Sequence, residues 1–323
     1  MKALTLSKSR SITIRPTHPF NFDATVHKPS HFPDQLTVYE KGKLWQTLRL
    51  NGRIFGAKLE NKGAVSRPLV KLTVFSNGNI ADGKLKQAAE ELCWYYDLNA
   101  DLRCFFSKFA KELVLGPVIR KWSGMRVSSA HSLYELLVVG IVLQNATVRR
   151  SVQMLASLLE NYGMLVKFGG KTMYAMWAPG ELAKVGEQEL RALKVGYRAK
   201  FLVRLSGDFA EGKVDEPALR AMGKEQAKKE LMKLYGVGPE TARILLFEAL
   251  HHYDAFDHIA PWQQKIYSHL FYGKRLVPVS RMSSDIKRRY GKWSMLAVHY
   301  LWEDLFWKRK TQHIDWLEKE IRL

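Results

Sequence analysis

The chain has 323 residues and a mass of 37.2 kDa; 46% of the residues are hydrophobic and 25% are charged. These proportions are ordinary for globular proteins and exclude a disordered or fibrous chain. Lysine and arginine number 51 against 31 acidic residues, which gives a formal net charge of +20 and a pI near 9.8. An excess of this size indicates a polyanionic partner, most often nucleic acid, although a general basic bias is the alternative.

Cysteine usage and hydropathy restrict the other classes of protein. The two cysteines, Cys93 and Cys104, are too few for a four-cysteine metal site or a disulfide scaffold. The first residues contain no apolar run of the kind found in signal peptides, and the longest apolar run, residues 136–143, is far shorter than the roughly 20 residues needed to cross a bilayer. We therefore expect a cytoplasmic protein without membrane association.

The first quarter of the chain predicts a β-sheet. Alternating segments begin at Ile12, Leu36 and Val70, and Asn51-Gly52 stands between two more of them in the manner of a type I′ hairpin. From about Lys84 the apolar period changes from 2 to 3.6. We predict an α+β protein, in which a small β-rich N-terminal domain, residues 1–98, is followed by an all-helical domain, residues 99–323.

Helical patterns then continue along the chain. Apolar residues from Leu102 to Leu113 predict one helix, with Asn99 or Asp101 as its cap. The stripe that begins at Val148 predicts another helix, which Gly163 should end. Further helices are expected after four positions: Pro179, Glu187, Arg198 and Glu216.

A tight turn at Gly236-Val237-Gly238 joins two predicted helices. Two glycines around a small residue permit a sharp bend, and Pro239 suits the first turn of the helix that follows. The amides and the dipole at that helix N-terminus can bind a phosphate without any contact to a base. The alternative is an ordinary corner of a helical bundle. The charge of +20 favours binding of the DNA backbone.

A candidate catalytic carboxylate follows this turn in the sequence. Asp257 lies seventeen residues after Glu240, between Phe256 and His258. A carboxylate beside aromatic side chains at a helix start can act on a sugar carbon or on a water molecule. A simple N-cap is the alternative for Asp257, and Asp254 is the neighbouring candidate. The histidines of this region match no metal-ligand spacing, so we expect no metal in catalysis.

Several segments in their chain order resemble one family. Residues 193–200 (LKVGYRAK) are similar to the G-Y-R-A-[RK] stretch of 8-oxoguanine glycosylases. Residues 139–150 resemble the helix and loop that carry a strand-probing residue, and residues 292–302 (KWSMLAVHYLW) are similar to a helix of 3-methyladenine DNA glycosylase II. With the glycine turn and Asp257, the chain over about residues 110–310 resembles the helix-hairpin-helix (HhH-GPD) DNA glycosylase superfamily.

The resemblance implies excision of a damaged base from double-stranded DNA by a monomeric, nucleoid-associated enzyme. Asp257 would stabilise the sugar cation and orient or deprotonate the attacking water. The resemblance implies three further roles. The backbone of Gly236, Val237 and Gly238 would bind a phosphate, and Gln144 and Asn145 would fill the gap that the flipped base leaves in the stack. Trp293 would stack on the flipped base. No cofactor is implied beyond a structural cation at the hairpin carbonyls, and the β-rich domain would correspond to the TBP-like domain of these branches.

Two departures from the family pattern affect the expected chemistry. Bifunctional members have a lysine two residues after the second hairpin glycine, where its amine forms a Schiff base with the sugar; here this residue is Glu240. We therefore expect a monofunctional glycosylase, with alkylated purines as first substrates. The residues around Asp257 match only with a shift, which keeps Asp254 as an alternative catalytic residue.

Three alternatives to this function remain at the level of sequence. The base could instead be hypoxanthine or 8-oxoguanine. The chain could be a lyase-competent enzyme that uses another lysine, for instance Lys265. It could also be a non-catalytic helix-hairpin-helix protein that only holds DNA.

Overall fold

The computed structural model describes residues 3–320. By compactness these residues divide into two units. The first comprises residues 3–27, 32–101 and 124–215, and the second residues 28–31, 102–123 and 216–320. This division follows the packing of the chain, whereas the predicted boundary at residue 98 follows a change in composition. The domain boundary at residue 98 therefore stays a prediction.

The first unit contains all the strands assigned within the described residues. They are β1 Leu4–Thr5, β2 Lys8–Ile14, β3 Thr37–Glu40, β4 Lys43–Leu50, β5 Arg53–Asn61, β6 Val70–Ser76, β7 Met164–Phe168 and β8 Lys171–Ala175. Its helices are α1 Phe22–Val26, α2 Asp82–Tyr95, α5 Leu133–Leu143, α6 Val148–Tyr162, α7 Pro179–Leu182, α8 Glu187–Ala192 and α9 Arg198–Ala210.

A five-stranded antiparallel sheet in the order β2-β6-β5-β4-β3 forms the centre of the first unit. Asn51 and Gly52 connect β4 to β5 with positive φ angles of 50° and 77°, which a type I′ turn requires. One face of the sheet packs against α2 in a core that includes Leu48, Leu72 and Leu92. The predicted hairpin and N-terminal sheet are therefore confirmed.

A second, three-stranded sheet in the order β1-β7-β8 belongs to the same unit. The β7–β8 hairpin pairs in parallel with β1, so a segment near residue 166 joins one near residue 4. Val166 and Phe168 of β7 share a small core with Trp45 of the larger sheet. The α+β class is confirmed, but the chain after residue 98 is not helical throughout, because these two strands lie within it.

The second unit is helical over its described residues. Its helices are α3 Arg103–Phe109, α4 Leu115–Lys121, α10 Glu216–Ala221, α11 Lys224–Lys233, α12 Pro239–Glu248, α13 Pro261–Tyr272, α14 Val279–Tyr290, α15 Ser294–Thr311 and α16 Asp315–Glu320, and a 3₁₀ turn, Gly291–Trp293, precedes α15. No helix within residues 3–320 is long and apolar enough to cross a membrane.

The helix boundaries agree with most expectations from the sequence. The helix of Val148 ends before Gly163, and helices begin at Pro179, Glu187, Arg198 and Glu216 as predicted. The prediction for α3 was wrong in two respects. Its N-cap is Leu102, without a side-chain capping bond, so neither Asn99 nor Asp101 caps it. Leu113 lies in the connection between the end of α3 at Phe109 and the start of α4 at Leu115, and it is 92% exposed.

Candidate DNA-binding and catalytic site

The hairpin of the second unit consists of α11, the turn at residues 234–238, and α12. Within the turn the Val237 amide donates to the Leu234 carbonyl over 3.1 Å, and Gly236 has a φ of +90°. A residue with a side chain is strained at this φ, so glycine is needed for the bend. Pro239 occupies the start of α12, as the sequence predicts.

Gly238 leaves the N-terminus of α12 uncovered. It is the N-cap residue, provides no side-chain cap, and has an extended backbone with φ of −94°. A Cβ built on Gly238 would meet no atom within 4 Å, so the space before the helix is open. The amides of Glu240 and Thr241 belong to the first turn, which has no acceptors within the helix. The hairpin can thus offer backbone amides to a phosphate, whereas the Val237 amide is engaged inside the turn.

Asp257 lies in the loop that joins α12 to α13, among three lysines. Its carboxylate contacts Lys228 Nζ at 3.1 Å and the Nζ atoms of Lys224 and Lys287 at 3.7 Å each. Burial would raise the pKa of Asp257, but the hydrogen bond from Lys228 and the charges of the lysines outweigh it, and the pKa lies below the ordinary value. The Asp257 side chain is 17% exposed and ionised at neutral pH.

The helix that follows this loop begins later than the sequence suggests. Ala260 is the N-cap of α13, and its amide donates to the Gln263 side chain over 3.1 Å. Asp257 lies three residues earlier and therefore does not cap α13, so the alternative role of N-cap is wrong. Asp254 is more exposed, at 42%, and its carboxylate lies 3.1 Å from Lys224 Nζ.

Glu240 occupies the position at which the family resemblance leads us to expect lysine in a bifunctional enzyme, and it is held by a buried arginine. Arg243 donates from Nη2 and Nε to the two oxygens of the Glu240 carboxylate over 2.6 and 3.0 Å. The Arg243 side chain is 4% exposed, and that of Glu240 is 30% exposed. His258 Nε2 lies 4.0 Å from Glu240 Oε2. The adjacent residues Asp257 and His258 therefore face different partners, one the lysines and the other Glu240.

Trp293 lies at the start of α15 within an aromatic group. Its half-buried ring stacks on Tyr253 at 5.4 Å between centroids and 24° between planes, and Phe105 lies 5.7 Å away. The amides of Met295 and Leu296 donate to the Tyr253 carbonyl, which ties the loop to the first turn of α15. Part of the Trp293 surface is therefore covered by Tyr253; we refer to this stacked pair of half-buried residues as the aromatic platform.

Gln144 and Asn145 form the turn between α5 and α6 in the first unit. Asn145 is exposed and has a φ of +49°, and Thr147 caps α6 through its side chain. The Gln144 carbonyl accepts a hydrogen bond from Arg198 Nη2, and Asn145 Nδ2 donates to the Tyr197 hydroxyl over 3.2 Å. The two motif segments of this unit, residues 139–150 and 193–200, thus come together in the fold.

Two of the histidines near the acidic loop have lowered pKa values. Burial and the charges of Arg220 and His252 lower the pKa of His251 to about 3, and burial lowers the pKa of His252. Within residues 3–320 no three His, Cys, Asp or Glu side chains lie close enough together to hold a metal ion. A cation at the hairpin, which the family resemblance implies, would have backbone carbonyl oxygens as its ligands and stays a prediction.

Lys265, the alternative lyase residue, lies on α13. Its Nζ contacts Glu320 Oε2 at 2.8 Å, and its side chain is 42% exposed. This ion pair links α13 to α16.

Sequence reasoning did not find several residues of this site. Tyr253, Arg243 and the three lysines around Asp257 carry no motif of their own. Lys224 and Lys228 are four residues apart and hence share one face of α11, which is a local signal. Which carboxylate that face meets depends on packing between helices distant in sequence.

Comparisons with known proteins agree on one class. No family model matches the chain. A DNA-3-methyladenine glycosylase of Bacillus subtilis (strain 168) is 22% identical over 255 residues, which cover 74% of this chain and 83% of the relative. Among solved structures, a 3-methyladenine DNA-glycosylase from Archaeoglobus fulgidus matches with a TM-score of 0.72 and 19% identity, covering 90% of this chain and 97% of its own.

A second solved structure that matches is an 8-oxoguanine glycosylase/lyase of Clostridium acetobutylicum in complex with double-stranded DNA. Its TM-score is 0.68 at 18% identity, and the match covers 95% of this chain and 99% of the Clostridium chain. The sequence relatives and structural neighbours are helix-hairpin-helix DNA glycosylases, so the resemblance seen in the motifs is confirmed. Both alkylation-repair and 8-oxoguanine enzymes occur among them, which leaves the base unspecified.

Proposed function

We propose that the chain is a monofunctional DNA glycosylase that hydrolyses the N-glycosidic bond of a flipped, alkylated purine such as 3-methyladenine or 7-methylguanine. One observation carries this proposal: the second unit brings the hairpin and the acidic loop together. Lys228 of α11 contacts Asp257 at 3.1 Å, and Glu240 of α12 lies 4.0 Å from His258. The hairpin and the acidic loop that carries the ionised Asp257 therefore lie next to each other.

Each of these groups of residues has a task in the proposed reaction. The open N-terminus of α12 binds a DNA phosphate through backbone amides. Gln144 and Asn145 enter the stack where the target nucleotide has left it, at a cost of a few kcal/mol that a lesion lowers. Asp257, an anion at neutral pH, stabilises the positively charged sugar and accepts the proton of the attacking water. Asp254 is the second candidate for this role.

Two features favour alkylated purines. The Tyr253–Trp293 pair presents aromatic surface, and a methylated purine with positive charge stacks on such rings more strongly than a neutral base. The hairpin position of a Schiff-base lysine holds Glu240, whose carboxylate cannot form an imine. A lyase step through that position is therefore absent from the proposed mechanism.

The test is base release from DNA followed by borohydride trapping. Alkylated genomic DNA and duplexes with hypoxanthine, an etheno-adduct, 8-oxoguanine or uracil are incubated with the protein. We expect release of methylated purines, strand breaks only after alkali, and no trapped protein–DNA adduct. Release of 8-oxoguanine with a trapped adduct would replace this proposal with a bifunctional enzyme. Salt-sensitive binding without release of any base would leave a DNA-binding module.

A further inference from the structure

Glu240 differs from the other carboxylates of the site in how it is held. Both of its oxygens are bound by Arg243, whose guanidinium is almost fully buried, while the carboxylate itself remains partly open to solvent. A planar guanidinium that binds a carboxylate with two parallel hydrogen bonds fixes its orientation. Arg243 thus holds an accessible anion in one place, in the first turn of α12.

The same arginine connects Glu240 to the aromatic platform. Arg243 Nη1 contacts Met295 Sδ at 3.2 Å in the first turn of α15. The amide of Met295 donates to the Tyr253 carbonyl over 2.8 Å, and Tyr253 stacks on Trp293. The carboxylate, the platform for a base and the phosphate-binding turn are therefore held on one continuous set of contacts.

Asp257 has a different electrostatic environment. Three ammonium groups lie within 3.7 Å of its carboxylate, so their positive charge offsets its field. Within residues 3–320, Glu240 forms its ion pair with Arg243, and His258 Nε2 lies 4.0 Å from its carboxylate. An anion with a single fixed partner can exert more of its charge on a positive centre that forms beside it.

We infer that Glu240 is a second catalytic carboxylate, which faces C1′ of the flipped nucleotide and stabilises the positive charge that develops on the sugar. This inference rests on the proposed glycosylase function. As the bond from C1′ to the base nitrogen breaks, its electron pair leaves with the base. The oxygen of a water molecule then bonds to C1′, and the proton of that water passes to Asp257 and on to solvent. Glu240 forms no bond, and Arg243 is a positioning residue.

A lysine placed at this position tests the geometry directly. Glu240→Lys is incubated with a duplex that already contains an abasic site, and borohydride is added. If residue 240 faces C1′, the amine and the sugar aldehyde form an imine with loss of water, which borohydride reduces to a stable adduct. Ile244→Lys, one turn later on α12 and 36% exposed, is the matched control and should give no adduct. Absence of an adduct with Glu240→Lys while it still binds abasic DNA overturns the inference.

The abasic duplex makes this result independent of base release. If the wild-type protein releases no base but Glu240→Lys is trapped, the proposed function fails while the position of residue 240 stands. If the wild type releases bases and Glu240→Lys binds DNA without being trapped, only the further inference fails.

Kinetics of milder variants provide a second test should Glu240→Lys not fold. Glu240→Gln keeps one acceptor oxygen for Arg243 but removes the negative charge, and it should lower the single-turnover rate of base release about 100-fold, a typical loss for one electrostatic contact in a transition state, with unchanged DNA affinity. Arg243→Met should lower the rate by a similar factor, and the double variant by no more than either single one, since both act through one carboxylate. A wild-type rate for Glu240→Gln overturns the inference.

Discussion

The side-chain amide of Asn145 donates a hydrogen bond to the hydroxyl of Tyr197 over 3.2 Å. Tyr197 in turn has the guanidinium of Arg198 over its ring at 4.8 Å, and Arg198 donates to the Gln144 carbonyl. The turn proposed to enter the DNA stack is therefore held by the other motif segment of its unit. Arg198 holds the backbone of the turn at the Gln144 carbonyl, and the Asn145 side chain, although bonded to Tyr197, remains exposed to solvent.

The side chain of Asn145 should matter for activity and not for stability. Asn145→Gly removes the side chain and tolerates the φ of +49°, so the melting temperature should stay within about 2 °C of wild type. Base release should slow about tenfold, which corresponds to about 1.4 kcal/mol, because the gap left by the flipped base is no longer filled. Single-turnover kinetics and thermal melts measure the two effects. Asn161→Ala, on the exposed side of α6, is the control and should change neither.

Much of the site could be predicted because its motifs are local. The glycine turn, Pro239 and the residues of the α5–α6 turn follow from short-range backbone chemistry, and the structure places the helix ends where the glycines and proline indicate. The β7–β8 hairpin was not predicted, since each of its strands has five residues and the pairing partner of β7 is β1, about 160 residues away. Short apolar runs of this length do not distinguish a strand from a helix.

The surroundings of Asp257 could not be predicted for a similar reason. Its three lysines come from α11 and α14, on either side of it in sequence, and no spacing rule relates them. The same holds for Arg243: its position three residues after Glu240 suggests an ion pair, but its burial depends on α15 packing over it. The residue types were visible in the sequence, and their environments required the fold.

The two hairpin glycines should respond differently to alanine. Gly236→Ala places a side chain at a φ of +90° and should destabilise the protein by about 1–2 kcal/mol. Gly238→Ala has an ordinary extended backbone and open space for its Cβ, so stability should hardly change, but the methyl group occupies the space proposed for the phosphate and DNA affinity should fall. Urea unfolding and fluorescence anisotropy with duplex DNA separate the effects. Equal DNA affinity of Gly238→Ala and wild type would place the phosphate elsewhere.

The lowered pKa of Asp257 determines the acid side of the pH profile. Because the folded carboxyl titrates below its ordinary value of 3.8, Asp257 stays ionised down to that range, and its contribution to stability and rate is lost as the pH falls through the lowered pKa. We expect the rate of base release to show no loss from this group between pH 7 and pH 5. Asp257→Asn should lower the rate at least 100-fold across this range.

Single-turnover rates from pH 5 to pH 8 measure this profile. Glu230→Gln, an exposed change on α11, is the control and should leave it unaltered. If Asp257→Asn keeps the wild-type rate while Asp254→Asn loses it, the catalytic role moves to Asp254.

A buried carboxyl in α15 should make stability depend on pH. Glu303 is 1% exposed, and its carboxylate accepts a hydrogen bond from Ser30. Burial raises the pKa of Glu303 to about 7, although the positive charge of the nearby, buried Lys28 acts to lower it. Between pH 4.5 and 7 the unfolded chain has lost this proton and the folded chain keeps it, so the contribution of Glu303 to the free energy of unfolding falls as the pH rises. Glu303→Gln should remove this contribution.

Thermal melts at pH 5 and pH 7.5 test the effect. The change in melting temperature from pH 5 to pH 7.5 should be more positive for Glu303→Gln than for wild type, because the variant lacks the loss that Glu303 contributes. Glu318→Gln, which removes a half-buried carboxylate paired with Arg309, should retain the wild-type change. The same change in all three proteins would show that Glu303 is not protonated in the folded chain at pH 5.

The most direct measurement is release of methylated purines from alkylated DNA by wild type and Asp257→Asn, run in parallel and followed by alkali. We expect the wild type to release the bases and to leave sites that break only in alkali. Asp257→Asn should bind the same DNA with similar affinity and release little. Equal release by both proteins would contradict the role of Asp257, and the absence of release from every lesion by a wild-type protein that binds DNA would contradict the enzyme itself.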